Sequence, residues 1–362
     1  MTGTATPQDA GTAVRTSTGG QFQTVFGREL VGELQHFAHR PYLVVTMEDL
    51  WPAFADQFGS HLAGVHFADS LEVDDLELEV ERQPKFASVI GVGGGRAMDV
   101  AKFFAWTRGT PLFQVPTAMT TNAPFAHRAA LRQGGTFVAL AWAVPEAVYV
   151  DFDVIRAAPP LLNRSGLGDV LCYHTAHYDW KLARDAGREE RRWPYDQRLV
   201  DEAREQLDAV LADLDEIREV SDRGIRTLML THRWGGAAFH DAGWNSRHMD
   251  GVDHCYLYGL EQQTGRHFIH GQAVGLGTYF GAVLQENESE MVLSSLDRAG
   301  LDIRPEAMGI TWDDAEAAMR GLAAYVRQAD LEYTIADARP VTDDVVEHIR
   351  ERIYATFGAW SP

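Results

Sequence analysis

The 362-residue sequence predicts an α/β N-terminal domain built on a parallel sheet, followed by an all-α C-terminal domain. Two observations predict this. Up to about Asp153, short apolar runs alternate with amphipathic stretches, the rhythm of strand–helix–strand units. Beyond Pro159 and Pro160 the alternation stops, and apolar residues recur at three- and four-residue steps. The break lies in AAPPLLNRSGLGD, Ala157 to Asp169, and divides the chain into 21–158 and 159–362 behind a leader, 1–20.

The leader, MTGTATPQDAGTAVRTSTGG, has no apolar core between a basic start and a cleavage site. It reads as a flexible leader and not as a secretory signal. PYLVVT (Pro41 to Thr46), FASVIGV (Phe86 to Val92) and PLFQVPT (Pro111 to Thr117) are short continuous apolar runs, as expected of strands covered on both faces. GGRAMDVAKFFAWTR predicts a helix in which Ala97, Val100, Ala101, Phe104 and Ala105 share a buried face. TFVALAWAV and AVYVDFDVI predict two further strands near an edge of the sheet. In the second domain, Asp196 to Arg218 is densely charged, yet Leu199, Val200, Ala203, Leu207, Val210, Leu211 and Leu214 form one stripe. An exposed helix with one buried face accounts for that pattern without a functional charge patch.

The formal charge is −20, from 32 Lys and Arg against 52 Asp and Glu, which argues against nucleic acid and anionic membrane surfaces as partners. No apolar run approaches the length of a bilayer span, roughly 20 residues. Two cysteines, Cys172 and Cys255, fit a reducing compartment. The expectation is a soluble, cytoplasmic protein acting on a small molecule.

Strand FASVIGV runs into Gly93, Gly94 and Gly95 and then into a helix. Missing side chains let a pyrophosphate approach the backbone, and a helix start offers free N–H groups and a partial positive charge. Asp99 and Lys102 share a face of that helix, either as a surface ion pair or with Lys102 turned to a substrate. VPTAMTTNAP, Val115 to Pro124, places Thr117, Thr120, Thr121 and Asn122 just after a predicted strand, where open α/β sheets bind ligands. Among the 14 histidines, His254 and His270 stand in helix-like, mostly apolar stretches, and Asp169 in GLGDVL has an apolar context too. A divalent cation satisfies two buried imidazoles and a buried carboxylate at once, and three protein ligands leave the open position of a catalytic site. His267 reads as an ordinary surface residue.

These motifs together resemble one family. GVGGGRAMDVAKF with VPTA, then APP with GLGDVLCYHTAHYDWKLA, then DH and HGQAVGLG are similar, in order, to the glycerol-1-phosphate dehydrogenase branch of the iron-containing alcohol dehydrogenase and dehydroquinate synthase superfamily. The resemblance runs from about Phe26 to near the C-terminus. It implies a dehydroquinate synthase-like fold: a nucleotide-binding α/β domain and a helical metal-binding domain, with NAD(P) and metal in the cleft. It implies that Gly93, Gly94, Gly95, Arg96 and Ala97, with Asp99 on the same helix, serve the cofactor pyrophosphate, and that Thr117, Ala118, Met119 and Thr120 serve the nicotinamide side. Asp169, His254 and His270 match the metal ligands; zinc is usual in this branch and ferrous iron in others. A homo-oligomer is also implied.

Three positions depart from the family pattern. Asn122 stands where the family has a substrate-contacting aspartate, Tyr258 where it has a substrate-binding histidine, and Ala126 where it has a serine near the cofactor. Asn122 donates and accepts hydrogen bonds without charge, and Tyr258 is a neutral donor. The resemblance therefore implies a metal-dependent NAD(P)H oxidoreductase interconverting a small alcohol or polyol, phosphorylated or not, and its ketone or aldehyde, with Lys102, Asn122 and Tyr258 positioning the substrate. The alternatives are a dehydroquinate synthase-like sugar-phosphate cyclase that recycles NAD internally, and a non-catalytic homologue that keeps cofactor and metal.

Overall fold

A computed structural model describes residues 14–16, 22–241 and 245–360. Apart from Val14–Thr16, the expected leader lies outside the described residues. The chain forms two compact units, 1–159 and 160–362.

In the first unit the elements follow in the order β1 (Val14–Thr16), β2 (Gln23–Gly27), α1 (Leu30–Phe37), β3 (Tyr42–Thr46), α2 (Trp51–Phe54), β4 (Leu62–Phe67), α3 (Val73–Arg82), β5 (Ser88–Gly93), α4 (Gly95–Arg108), β6 (Leu112–Pro116), β7 (Ala129–Gln133), β8 (Thr136–Leu140), β9 (Ala147–Asp151) and α5 (Phe152–Ala157). Seven strands form one sheet in the order β1-β2-β9-β6-β5-β3-β4. All its pairings are parallel except that of β1 with β2. The three runs predicted as buried strands are β3, β5 and β6, and every residue in them is buried. Both faces are covered: Leu43 and Val45 pack with α3 and α4, whereas Tyr42 and Val44 pack with α1 and α2.

Two expectations about the later strands are corrected. AVYVDFDVI does supply β9, but β9 lies inside the sheet between β2 and β6, not near an edge. TFVALAWAV supplies β8, which leaves the main sheet to pair with β7 in a separate hairpin. Gly134 and Gly135, with φ of 58° and 77°, make its two-residue turn, a conformation that favours glycine. Helix α4 is likewise buried more fully than one stripe, because the hairpin covers part of its outer side: Ala97 through Ala105 are buried without interruption.

The described part of the second unit is all helical: α6 (Pro160–Asp185), α7 (Gln197–Ala212), α8 (Leu214–Arg218), α9 (Asp222–Asp241), α10 (Val252–Thr264), α11 (His270–Gln285), α12 (Ser289–Arg298), α13 (Trp312–Gln328), α14 (Ile335–Ala338) and α15 (Asp343–Phe357). The charged stretch expected as one helix is α7 followed by α8, with Asp213 between them, and its apolar stripe is buried apart from a partly exposed Leu211. Among the described residues, no helix is long and apolar enough to cross a membrane.

Glycines bring the central helices of this unit together. A Cβ on Gly168 of α6 would lie 1.7 Å from the carbonyl oxygen of Gly271 in α11, and one on Gly271 would lie 1.8 Å from the carbonyl oxygen of Ser165. A Cβ on Gly277 of α11 would lie 2.5 Å from the carbonyl oxygen of Asp253 in α10. These helices touch backbone to backbone, which only glycine permits at those points. The residues next to these contacts are Asp169, His270 and His254.

Candidate active site

In the first unit the glycine turn has two jobs. A Cβ on Gly91 would come within 2.8 Å of the Ala101 Cβ, and one on Gly93 within 2.7 Å of the Ala97 Cβ, so both glycines let α4 lie directly on β5. Gly94 is different. A Cβ there would meet nothing within 4 Å, and its φ of −84° suits any residue. The protein's own packing does not need glycine here. Gly94 gives no side-chain cap, so the first N–H groups of α4 stay open to an anion, with Arg96 exposed in the same turn.

The end of β6 is tied to this turn by the Thr117 N–H, which donates to the Gly93 carbonyl at 2.9 Å. Thr117, Ala118 and Met119 are buried, and Thr120 is half-buried. Beyond them the chain turns sharply: the Asn122 carbonyl accepts from the N–H groups of Phe125 (2.9 Å) and Ala126 (3.1 Å). Gly93–Ala97 and Thr117–Thr120 thus meet at the C-terminal ends of neighbouring parallel strands, the usual place for a ligand in such sheets.

Asp99 and Lys102 are placed otherwise than expected. Lys102 is fully buried, and its Nζ donates to Asp99 Oδ1 at 2.8 Å and to the Arg128 carbonyl at 2.8 Å. It is neither a surface ion pair nor a group turned to a substrate. It fastens α4 to the segment entering β7. Asp99 is buried too, and its carboxylate answers Lys102. Burial raises the Asp99 pKa, and Lys102 acts against that rise.

In the second unit Asp169, His254 and His270 converge. His270 Nε2 lies 3.0 Å and His254 Nε2 3.6 Å from Asp169 Oδ1, and the two imidazole nitrogens are 3.2 Å apart. Four-coordinate zinc with bonds near 2.1 Å has ligand atoms about 3.4 Å apart, so the three donors fit one cation. The orientation fits too. His254 Nδ1 donates to Asp253 Oδ1 at 2.7 Å, which fixes the ring with Nε2 directed at Asp169 and His270. Burial works against charge here, yet the neighbouring Asp250, Asp169 and Asp253 drive the His254 pKa well up. Asp169 and His254 are buried and His270 is half-buried, and the three donors form one group able to hold a cation.

Cys172 and Asp253 also place donor atoms within 4.8 Å of His254. Both are occupied in holding the frame. The Cys172 thiol donates to the carbonyls of Asp169 (3.0 Å) and Met249 (2.8 Å), and burial raises its pKa so that it keeps its proton. Asp253 is fully buried and accepts from Thr175 Oγ1 at 2.7 Å.

Tyr258 lies one turn beyond His254, with ring centroids 6.3 Å apart. Burial pushes its phenol pKa up, which makes it a hydrogen-bond donor and not a base. His267 is exposed beside Glu261, as expected of a surface residue. Sequence reasoning missed Asp253 as the partner of His254, although the Asp-His pair is visible in DGVDHC. It also missed the packing of Gly168 on Gly271, whose signal is the repeated glycine in GLGD and HGQAVGLG.

Comparison with known proteins bears on both units. Residues 35–159 match the iron-containing alcohol dehydrogenase family. A glycerol-1-phosphate dehydrogenase of Thermofilum pendens is 28% identical over 286 residues, covering 76% of this chain and 81% of that protein. The Pyrococcus furiosus enzyme of the same name is 26% identical over 338 residues, 90% of this chain and 95% of that one. Among solved structures, a probable glycerol dehydrogenase from Sinorhizobium meliloti superposes with a TM-score of 0.67 at 22% identity, covering 92% of this chain and 95% of that one. A 2-epi-5-epi-valiolone synthase from Streptomyces hygroscopicus, with NAD+ and Zn2+ bound, superposes with a TM-score of 0.62 at 17% identity over 94% of this chain and 99% of that one. The resemblance and the fold class drawn from the motifs both hold: the chain is similar in sequence to glycerol-1-phosphate dehydrogenases and shares the fold of iron-containing alcohol dehydrogenases and of that synthase.

Proposed function

We propose that this protein is a metal-dependent NAD(P)H oxidoreductase that interconverts a small alcohol or polyol, phosphorylated or not, and its ketone or aldehyde. The observation that carries the reading is the convergence of Asp169 Oδ1 with the Nε2 atoms of His254 and His270. When bound, the cation supplies Lewis acidity at the reacting oxygen and the nicotinamide supplies or takes two electrons with a hydrogen. Zinc suits the ligand set and the branch resembled; ferrous iron is the other candidate.

The chain's own residues bind and orient. The open N–H groups at the start of α4 hold the cofactor pyrophosphate, Gly94 lets it approach, and Thr117 to Thr120 line the nicotinamide side. Asp253 keeps His254 in the tautomer that presents Nε2. Tyr258, which retains its proton, donates a hydrogen bond to a substrate oxygen, and Asn122 adds an uncharged donor and acceptor. Lys102 is left out of this set, because its ammonium is already spent on Asp99 and Arg128.

The test is to mix metal-loaded protein with NAD(H) or NADP(H) and a panel of polyols, ketones and aldehydes, each with and without a phosphate. Turnover of nicotinamide with at least one of them is expected, and none with any counts against the reading. Release of inorganic phosphate from a sugar phosphate without net NADH points to a cyclase. Tight metal and NAD binding without turnover, relieved by Asn122→Asp with Tyr258→His, points to a homologue that has lost catalysis.

A further inference from the structure

We infer that His232, on α9, is a positioning residue of the cation site, acting through the second carboxylate oxygen of Asp169. The inference rests on reading Asp169, His254 and His270 as ligands. The two oxygens of Asp169 face different neighbours. Oδ1 meets the Nε2 atoms of His270 and His254 at 3.0 and 3.6 Å. Oδ2 is approached by His232 Nδ1 at 3.8 Å.

His232 stands outside the three donors that lie within 4.8 Å of one another, so it takes no place among the ligands. It is only 1% exposed, and a buried imbalance of imidazole and carboxylate is costly unless the two face each other. The packing that brings it there is specific. A Cβ on Gly235 would lie 2.5 Å from the Tyr173 hydroxyl, so the Tyr173 side chain reaches from α6 to the backbone of α9 at that point. Gly235 is one turn after His232, and Tyr173 is one turn after Asp169. One turn back along each helix, His232 and Asp169 face each other.

A carboxylate with two equivalent oxygens can turn in its site or present either one. A donor held against Oδ2 removes that freedom and keeps Oδ1 towards His254 and His270. At 3.8 Å the contact is electrostatic, and a small rotation of either side chain closes it to a hydrogen bond of about 3 Å. Groups placed in this way around a ligand alter metal affinity by about 10- to 100-fold when removed.

The test strips full-length protein with a chelator and titrates it with Co2+, reading affinity by competition and coordination by visible absorption. Wild type, Asp169→Asn, His232→Asn, His232→Phe and His232→Gln are compared, with circular dichroism to establish folding. Wild type is expected to take up Co2+ and Asp169→Asn to lose it. His232→Gln, whose amide extends to where Nε2 stands and not to where Nδ1 does, and His232→Phe, which fills the space without a donor, are each expected to bind about 10- to 100-fold more weakly with an altered spectrum. His232→Asn, whose amide nitrogen takes the place of Nδ1, stays near wild type. Either His232→Gln or His232→Phe, folded and with wild-type affinity and spectrum, overturns the assignment. Failure of the wild type to bind Co2+ overturns the parent reading of the three ligands instead.

Discussion

Adding one methyl group where α6 meets α11 is expected to dismantle the cation site without touching any ligand. In Gly168→Ala the new Cβ would stand 1.7 Å from the Gly271 carbonyl oxygen, and in Gly271→Ala 1.8 Å from the Ser165 carbonyl oxygen. Real Cβ atoms do not come closer than 3.0 Å, so the helices must part by more than an ångström. The obstacle is backbone, which cannot rotate aside as a side chain would. Overpacking typically costs 1–3 kcal/mol, and this contact belongs at or above about 3 kcal/mol. Asp169 and His270 neighbour the clash and now lie 3.0 Å apart, whereas metal bonds tolerate only about 0.2 Å of misplacement. Metal affinity should fall by about 100-fold or more, by analogy with the upper range for displaced supporting groups. The assay pairs urea denaturation with Co2+ competition. Gly321→Ala is the control, since its Cβ meets nothing within 4 Å in α13, and it should be neutral or stabilising by up to about 1 kcal/mol. A Gly168→Ala protein with wild-type stability and wild-type metal affinity would refute the reasoning.

Other consequences follow from the same geometry. Gly94→Ala should leave the denaturation midpoint unchanged or slightly raised, because the site is open and φ is ordinary, while weakening NAD(H) binding measured by calorimetry; unchanged binding would remove the pyrophosphate from this turn. Lys102→Met leaves the Asp99 carboxylate buried without its partner and should cost about 3–5 kcal/mol in urea, much of it recovered when Asp99→Asn is added; a loss under about 1 kcal/mol would mean that the pair is not holding α4. Burial holds His127, His177 and His248 at pKa values of about 4, 3 and 3, below the ordinary 6.5. Their folded values are depressed, so their contribution is present above pH 6.5 and is lost as pH falls towards those values, by roughly 2 kcal/mol each between about pH 7 and pH 5. Burial raises Asp179 to about 7, which acts in the opposite direction and regains roughly 2 kcal/mol over the same window. Denaturation at the two pH values should therefore show a net loss at pH 5, and equal or greater stability there would contradict these assignments.

The parts of the fold visible in the sequence were those whose environment is uniform along the chain. β3, β5 and β6 are covered on both faces, so each is a continuous apolar run. β4 is half-exposed along its whole length, and LAGVHF gives no such signal. The interior place of β9 depends on strand order, to which no spacing in the sequence corresponds. At the site, Asp169, His254 and His270 were legible because an apolar context around polar residues asks for a partner. Lys102 misled because its position on the first turns of α4 is equally consistent with facing outward, until the hairpin of β7 and β8 is seen to enclose that side. His232 carries no local signal at all: its place beside Asp169 comes from the packing of α9 on α6, where the Tyr173 side chain abuts Gly235.

The central claim is that one cation held by Asp169, His254 and His270 serves a nicotinamide-dependent oxidation or reduction. The direct measurement follows nicotinamide absorbance in chelator-stripped protein, with a substrate found in the panel, as Zn2+ or Fe2+ is returned in known amounts. Activity should be absent in the stripped protein, rise to a plateau at one equivalent, and fail to return in Asp169→Asn. Full activity without metal, or recovery in the Asp169→Asn protein equal to wild type, would contradict the account.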